Sequence, residues 1–180
     1  MSPLHGEELC AWADEHLMYE VAAIRYTVEQ LAREPKGMEQ WCLLESFLVH
    51  ARCLNDFLWR DRTPQQPNDA FAADFCASGV WSAARHELSQ KALAEIRHRK
   101  RFGREVMHLS YERPSGFGQH KQWPCGRVFI EIASAMRRFA ILAEPASLND
   151  PTRERFRRLS DLAPNAPPYE EVVAGGEEAN

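Results

Sequence analysis

The chain has 180 residues, 44% of them hydrophobic, and a formal net charge of −4 at pH 7. That length suits one domain with its own core, and the mild acidity excludes a protein that coats nucleic acid by bulk charge, so any such contact has to be a local basic patch. Five cysteines, Cys10, Cys42, Cys53, Cys76 and Cys125, are an odd set without paired short spacing and exclude a closed disulfide framework. The opening MSPLHGEELC has no basic segment leading into an apolar one, and no run approaches the ~20 apolar residues that span a bilayer. The expectation is a cytoplasmic protein with reduced thiols and no membrane contact.

In chain order, the first predicted element is a long amphipathic helix through Arg33, with Ser2 as N-cap, Pro3 in the first turn, and Leu9, Ala13, Leu17, Ile24, Val28 and Leu31 at helical spacing. EPKG breaks it at Pro35 and Gly37. The next helix, MEQWCLLESFLVHARCLNDFLWRD, is apolar around most of its circumference, which marks the most deeply buried element. TPQQPND reads as a loop, and Asn68 or Asp69 can cap a short helix through AFAADFCAS that Gly79 ends. A third long helix is predicted from Trp81 to about His108, an irregular connection over YERPSGFGQHKQWPCG, and a further helix over GRVFIEIASAMRRFAILAE. After Pro145 the composition predicts a tail with one basic helical turn at TRERFRRL. The pattern defines an all-α bundle of four to five helices over residues 2–144 and an irregular Pro/Glu-rich tail over 145–180.

The most distinctive stretch is RHRKRFGREVMHLSYER from Arg97. At ~100° per residue, Arg97, Arg101, Arg104 and His108 fall on one stripe, opposite Leu88, Ala92, Phe102, Val106 and Leu109. The plain reading is a solvated face. The functional reading rests on His108 among Val106, Met107 and Leu109, one turn from Arg104. An imidazole can take a proton from a ribose 2′-OH or give one to a leaving oxygen, and guanidinium groups supply paired donors and permanent charge to the phosphorane. No metal or cofactor enters that chemistry. A symmetric homodimer would bring two stripes together.

This arrangement resembles the HEPN superfamily of small helical bundles, whose ribonuclease members carry an arginine, four to six residues and a histidine on a late helix. Arg101 and His108 fit that frame, with Phe102 where the family often has a polar residue and Gly103 after it. The resemblance implies a HEPN-like bundle and metal-independent RNA cleavage of a defence or toxin type. The chain is also similar, over most of residues 38–124, to a group of uncharacterised bacterial helical proteins, through ESFLVHARCLNDFLW from Glu45, AADF from Ala72, Trp81, HLSYER from His108 and WP at Trp123. That second likeness implies fold and no activity.

Other constellations are open to two readings. Glu45, Arg52 and Asp56 share a stripe of the second helix; they form either a structural ion network, with Arg52 and Asp56 paired within the helix or to Arg97 or Arg101, or an acidic support for the catalytic stripe. His50 sits among apolar residues without HxxxH, HExxH or CxxC, so a hydrogen-bonded core histidine is expected in place of a metal ligand; His16, His50 and His108 are the only metal candidates. In RPSGFGQHKQWPCG, Arg113, Lys121, Phe117, His120 and Trp123 can hold phosphates and stack bases, or close the end of the bundle with Trp123 packed inward. The functional expectation is RNA binding or cleavage with His108 as general acid/base, Arg101 and Arg104 as phosphate stabilisers, and Arg97, Arg113 and Lys121 as RNA contacts. The alternative is a non-catalytic helical module that docks a partner protein.

Overall fold

The structure is a computed structural model that describes residues 4–64, 68–88, 91, 94, 123–159 and 161. Helices α1 (Gly6–Trp12) and α2 (Met18–Leu31) are joined without a break by a π-helical turn at Ala13–Leu17. The turn has a cause in the spacing. Leu9, Ala13, Leu17 and Val21 recur in steps of four, and all are 5% exposed or less. On an α-helix each such step overshoots a full turn by about 40°, so the line would drift about 120° off the core. The wider i→i+5 turn absorbs a residue and keeps the four in register. Ile24, Val28 and Leu31 then continue the buried face.

Beyond Leu31 the chain tightens through bonds from Arg33 N to Gln30 O and Glu34 N to Leu31 O. Gly37, at φ 64° and ψ −135°, sits where a side chain is rarely accepted and starts α3 (Met38–Trp59). Helices α2 and α3 form the most extensively packed pair. Leu44, Phe47, Leu48, Ala51, Leu54 and Leu58 are at most 1% exposed, in accord with the apolar circumference of α3.

The carbonyl end of α3 is held from outside. Trp81 Nε1 donates to Leu58 O at 2.7 Å, and Arg85 Nη1 donates to Trp59 O at 3.1 Å. These donors come from α4 (Val80–Arg85), which Gly79 opens at φ 77°, whereas the sequence pattern has this glycine closing a helix. The short helix before it is a single 3-10 turn, Ala72–Phe75. Asp74, not Asn68 or Asp69, serves its N-terminus, accepting from Phe71 N at 2.8 Å and from Arg62 Nη2 at 2.7 Å. The continuous helix expected from Trp81 ends at Arg85. There Glu87 N and Leu88 N turn to carbonyls three residues back, and Arg85 grips both oxygens of Asp61.

Helix α5 (Cys125–Leu142) packs on α2, α3 and α4, and Phe139 sits at the centre of the core. Its ring lies 5.3 Å from Phe57, 5.4 Å from Phe75 and 5.9 Å from Trp81, each edge to face, the arrangement the ring quadrupoles favour. Trp123 is 1% exposed at the entry to α5.

Helix α6 (Asp150–Arg158) falls in the stretch assigned from sequence to the tail, and it belongs to the packed unit. Leu148 and Phe156 are fully buried and Leu159 nearly so. Asn149 caps it, accepting from Thr152 N at 2.8 Å. The core therefore runs past residue 144 to Leu159. The signal was thin because three apolar positions, set among arginines, carry most of the buried face. Among the described residues the architecture is all-α, with no strand, and none of their helices is long and apolar enough to cross a membrane.

Candidate functional site

Of the candidate residues, Arg97, Arg101, Arg104, His108, Arg113 and Lys121 lie outside the described residues, as do Phe117 and His120. Glu45, Arg52, Asp56, His16, His50 and Trp123 are described. Trp123 is sealed in the core, which places its ring with the bundle and not on a base-stacking surface.

Arg52 and Asp56 form part of a network along α3. Arg52 Nε donates to Asp56 Oδ2 at 3.3 Å, Arg60 Nη1 to the same oxygen at 3.0 Å, and Asn55 Nδ2 to Asp56 Oδ1 at 3.0 Å. One carboxylate thus faces two arginines one turn either side, and Asn55, 2% exposed, ties it to the packed face.

His50 is engaged between helices. Its Nδ1 lies 2.8 Å from Oε2 of Glu20 on α2, and Tyr19 meets the ring edge-on at 5.5 Å. Cys53, one turn further along α3, joins the same group through Glu20. Partial burial of its sulfur, followed by the charges of Glu20 and Asp56 and a hydrogen bond to Glu20, pushes this thiol up to about 11 against a small opposing pull from Arg52. A neutral thiol is a poor nucleophile and a poor metal ligand. Among the described residues no group of three or more His, Cys, Asp and Glu is disposed to hold a metal ion.

A different face carries a feature with room for a ligand. An open cleft of about 690 Å³ runs between α5 and α6, lined by Arg137, Ile141, Glu154, Arg157, Arg158 and Asp161. Arg137 projects from the outer face of α5, and Arg157 and Arg158 from the last turn of α6; all three are exposed. Helices α5 and α6 are set against each other by Phe139 and Phe156, whose rings lie 6.3 Å apart. Arg153 bridges the junction, its guanidinium donating to the carbonyls of Ala140, Ala143, Glu144 and Leu148. Glu154 accepts from Arg158 Nε at 2.8 Å, and that bond and charge raise the arginine further above its ordinary value.

The charge of the chain is strongly segregated. Residues 85–161 hold 16 of the 22 Lys and Arg residues and 9 of the 26 Asp and Glu, whereas the first 84 residues hold 6 and 13. The basic run at 97–104 and the α5–α6 cleft belong to the same basic portion. Sequence reasoning passed over the cleft because Arg137 and Arg157 sit on separate helices, and only the packing beneath them makes them neighbours.

No family model, curated protein or solved structure matches the chain.

Proposed function

We propose that this chain binds RNA through its basic portion, and that Arg101, Arg104 and His108 cleave the bound strand without a metal ion, in a HEPN-like helical bundle acting as a homodimer. The observation that carries this reading is the charge segregation. A chain of net −4 that gathers 16 of its 22 cations into residues 85–161 carries one stretch of net positive charge, and a local basic stretch is the feature by which an acidic chain can attract a polyanion. His108 supplies the proton transfer, Arg101 and Arg104 the charge on the reacting phosphate, and Arg97, Arg113 and Lys121 hold the flanking strand.

The test is cleavage of single-stranded RNA by the purified protein in the presence of a chelator. Cleavage that His108→Ala abolishes, with helical content and melting unchanged, supports the reading; equal cleavage by the variant points to a contaminating nuclease and overturns the catalytic part.

A second reading, a non-catalytic helical module that docks a partner protein, is favoured by one observation. Tyr19 and Tyr26, two turns apart on α2, are 62% and 58% exposed, and exposed tyrosine rings are of the kind enriched at protein interfaces. A protein that binds no RNA removes the first reading and leaves this one, whereas RNA binding without cleavage removes only the catalytic part of the first.

A further inference from the structure

We infer that the cleft between α5 and α6 is a further RNA contact, a sequence-independent seat for the phosphodiester backbone of a single strand, built from residues other than those of the run at 97–108. The inference rests on the proposed RNA binding and extends it to Arg137 and to the basic turn at TRERFRRL, to which the sequence pattern assigns no role.

The chemistry of the lining argues for phosphate. Arg137, Arg157 and Arg158 bring three guanidinium groups to one cleft, against the two carboxylates of Glu154 and Asp161. Guanidinium is permanently charged, weakly hydrated for a cation, and presents donors in a planar fork that matches phosphate oxygens. Glu154 engages Arg158 through Nε, an arrangement that positions this guanidinium at the cleft. Arg138 and Arg155 are also exposed on the same two helices.

The shape argues for a strand over a small nucleotide. Small-molecule sites are concave, mostly apolar and bury most of the ligand. This cleft is open to solvent and offers a single apolar side chain, Ile141, itself 49% exposed. An extended chain can lie across such a surface. No aromatic ring lines it, so it lacks the stacking platform by which single-strand binders grip bases. Contact with the backbone alone carries no sequence information.

The experiment measures binding of a fluorescent 2′-O-methyl oligouridylate of about a dozen nucleotides, which cannot be cleaved through its 2′ oxygen, by anisotropy with the full chain and across a salt series. Three proteins are compared: the wild type, Arg137→Ala/Arg157→Ala in the cleft, and Arg101→Ala/Arg104→Ala in the run. The cleft variant is expected to bind about tenfold more weakly, with a salt slope shallower by about one and the same loss on other base sequences. Arg137→Gln alone, at an exposed position, repeats the test with a smaller change and a smaller loss. Wild-type affinity in the cleft variant, alongside a loss in the Arg101/Arg104 variant, overturns the cleft and leaves RNA binding standing. A wild-type protein that binds no RNA overturns both. A poly-glutamate peptide that binds the cleft more tightly than the oligonucleotide also overturns the assignment, in favour of an acidic protein partner.

Discussion

Thr152 Oγ1 donates a hydrogen bond to Oδ1 of Asp14, joining the π-helical turn to the first turn of α6 across 138 residues of chain. The other carboxylate oxygen, Oδ2, accepts from Asn149 Nδ2, so one side chain holds both the cap and the first turn of α6. The wider turn at Ala13–Leu17 brings Asp14 to that position, and a negative group there also suits the positive end of the helix. Replacing Asp14 by Ala leaves the hydroxyl of Thr152, 5% exposed, without this acceptor. The expected cost is about 2 kcal/mol, measured by urea unfolding, with Asp14→Asn intermediate. An unchanged midpoint for Asp14→Ala would show that the contact does not hold α6 in place.

Phe139→Ala should cost more, about 3 to 5 kcal/mol, since its ring is the hub for Phe57, Phe75 and Trp81 and the cavity left would be walled by rigid aromatics that cannot collapse into it. Phe139→Leu keeps most of the volume and should cost less than half as much. The comparison is made in denaturant. Equal losses for the two variants would mean that cavity volume is not what matters at this position.

The legibility of the fold followed the strength of its local patterns. Ile24, Val28 and Leu31 repeat at helical spacing beside a helix as apolar as Met38–Trp59, and both elements lie where the pattern places them. The π turn was hidden in steps of four that also fit an ordinary helix over a short window. Helix α6 was hidden by its arginines, because Phe156 is its one large apolar residue. Partners distant in sequence leave no local trace at all: Glu20 meets His50, and Asp14 meets Asn149 and Thr152, through packing alone. The basic run at 97–104 was legible as a string of charges, whereas the α5–α6 cleft needed two helices laid side by side.

Arg153 predicts a sharp difference between two cations. Its guanidinium serves carbonyls at the end of α5 and in the link to α6 with both Nη groups, a fan that a single ammonium cannot reproduce. Arg153→Lys should therefore recover little of the loss in Arg153→Ala, about 2 kcal/mol. Amide exchange should accelerate at Ala143 and Glu144, just past the end of α5, before it does within the helix. Full recovery by lysine would show that charge at the helix end, and not the donor fan, is what counts.

The cysteines should separate by environment when alkylated at mildly alkaline pH and mapped by mass spectrometry. Cys42 is exposed and should react early. Cys125 is enclosed, and burial pushes its thiol far up, so it should react only on unfolding. Cys76, raised to about 11 chiefly by burial and then by the charge of Glu144, should lag as well.

Cys53 gives the most specific result, because it is exposed as a residue and yet its thiol is raised to about 11, by partial burial first and then by Glu20 and Asp56. Glu20→Gln removes a charge that opposes the thiolate and should speed alkylation of Cys53 about three- to tenfold at fixed pH. Arg52→Gln removes a charge that favours the thiolate and should slow it. The same shift has a stability consequence of definite sign. A thiol whose folded value lies above its ordinary 9.0 adds stability that is fully present below that pH and is lost as pH rises through about 11. Cys53→Ser should flatten this alkaline loss between pH 9.0 and about 11, and an alkaline unfolding curve unchanged by that substitution would show that the thiol is not coupled to folding.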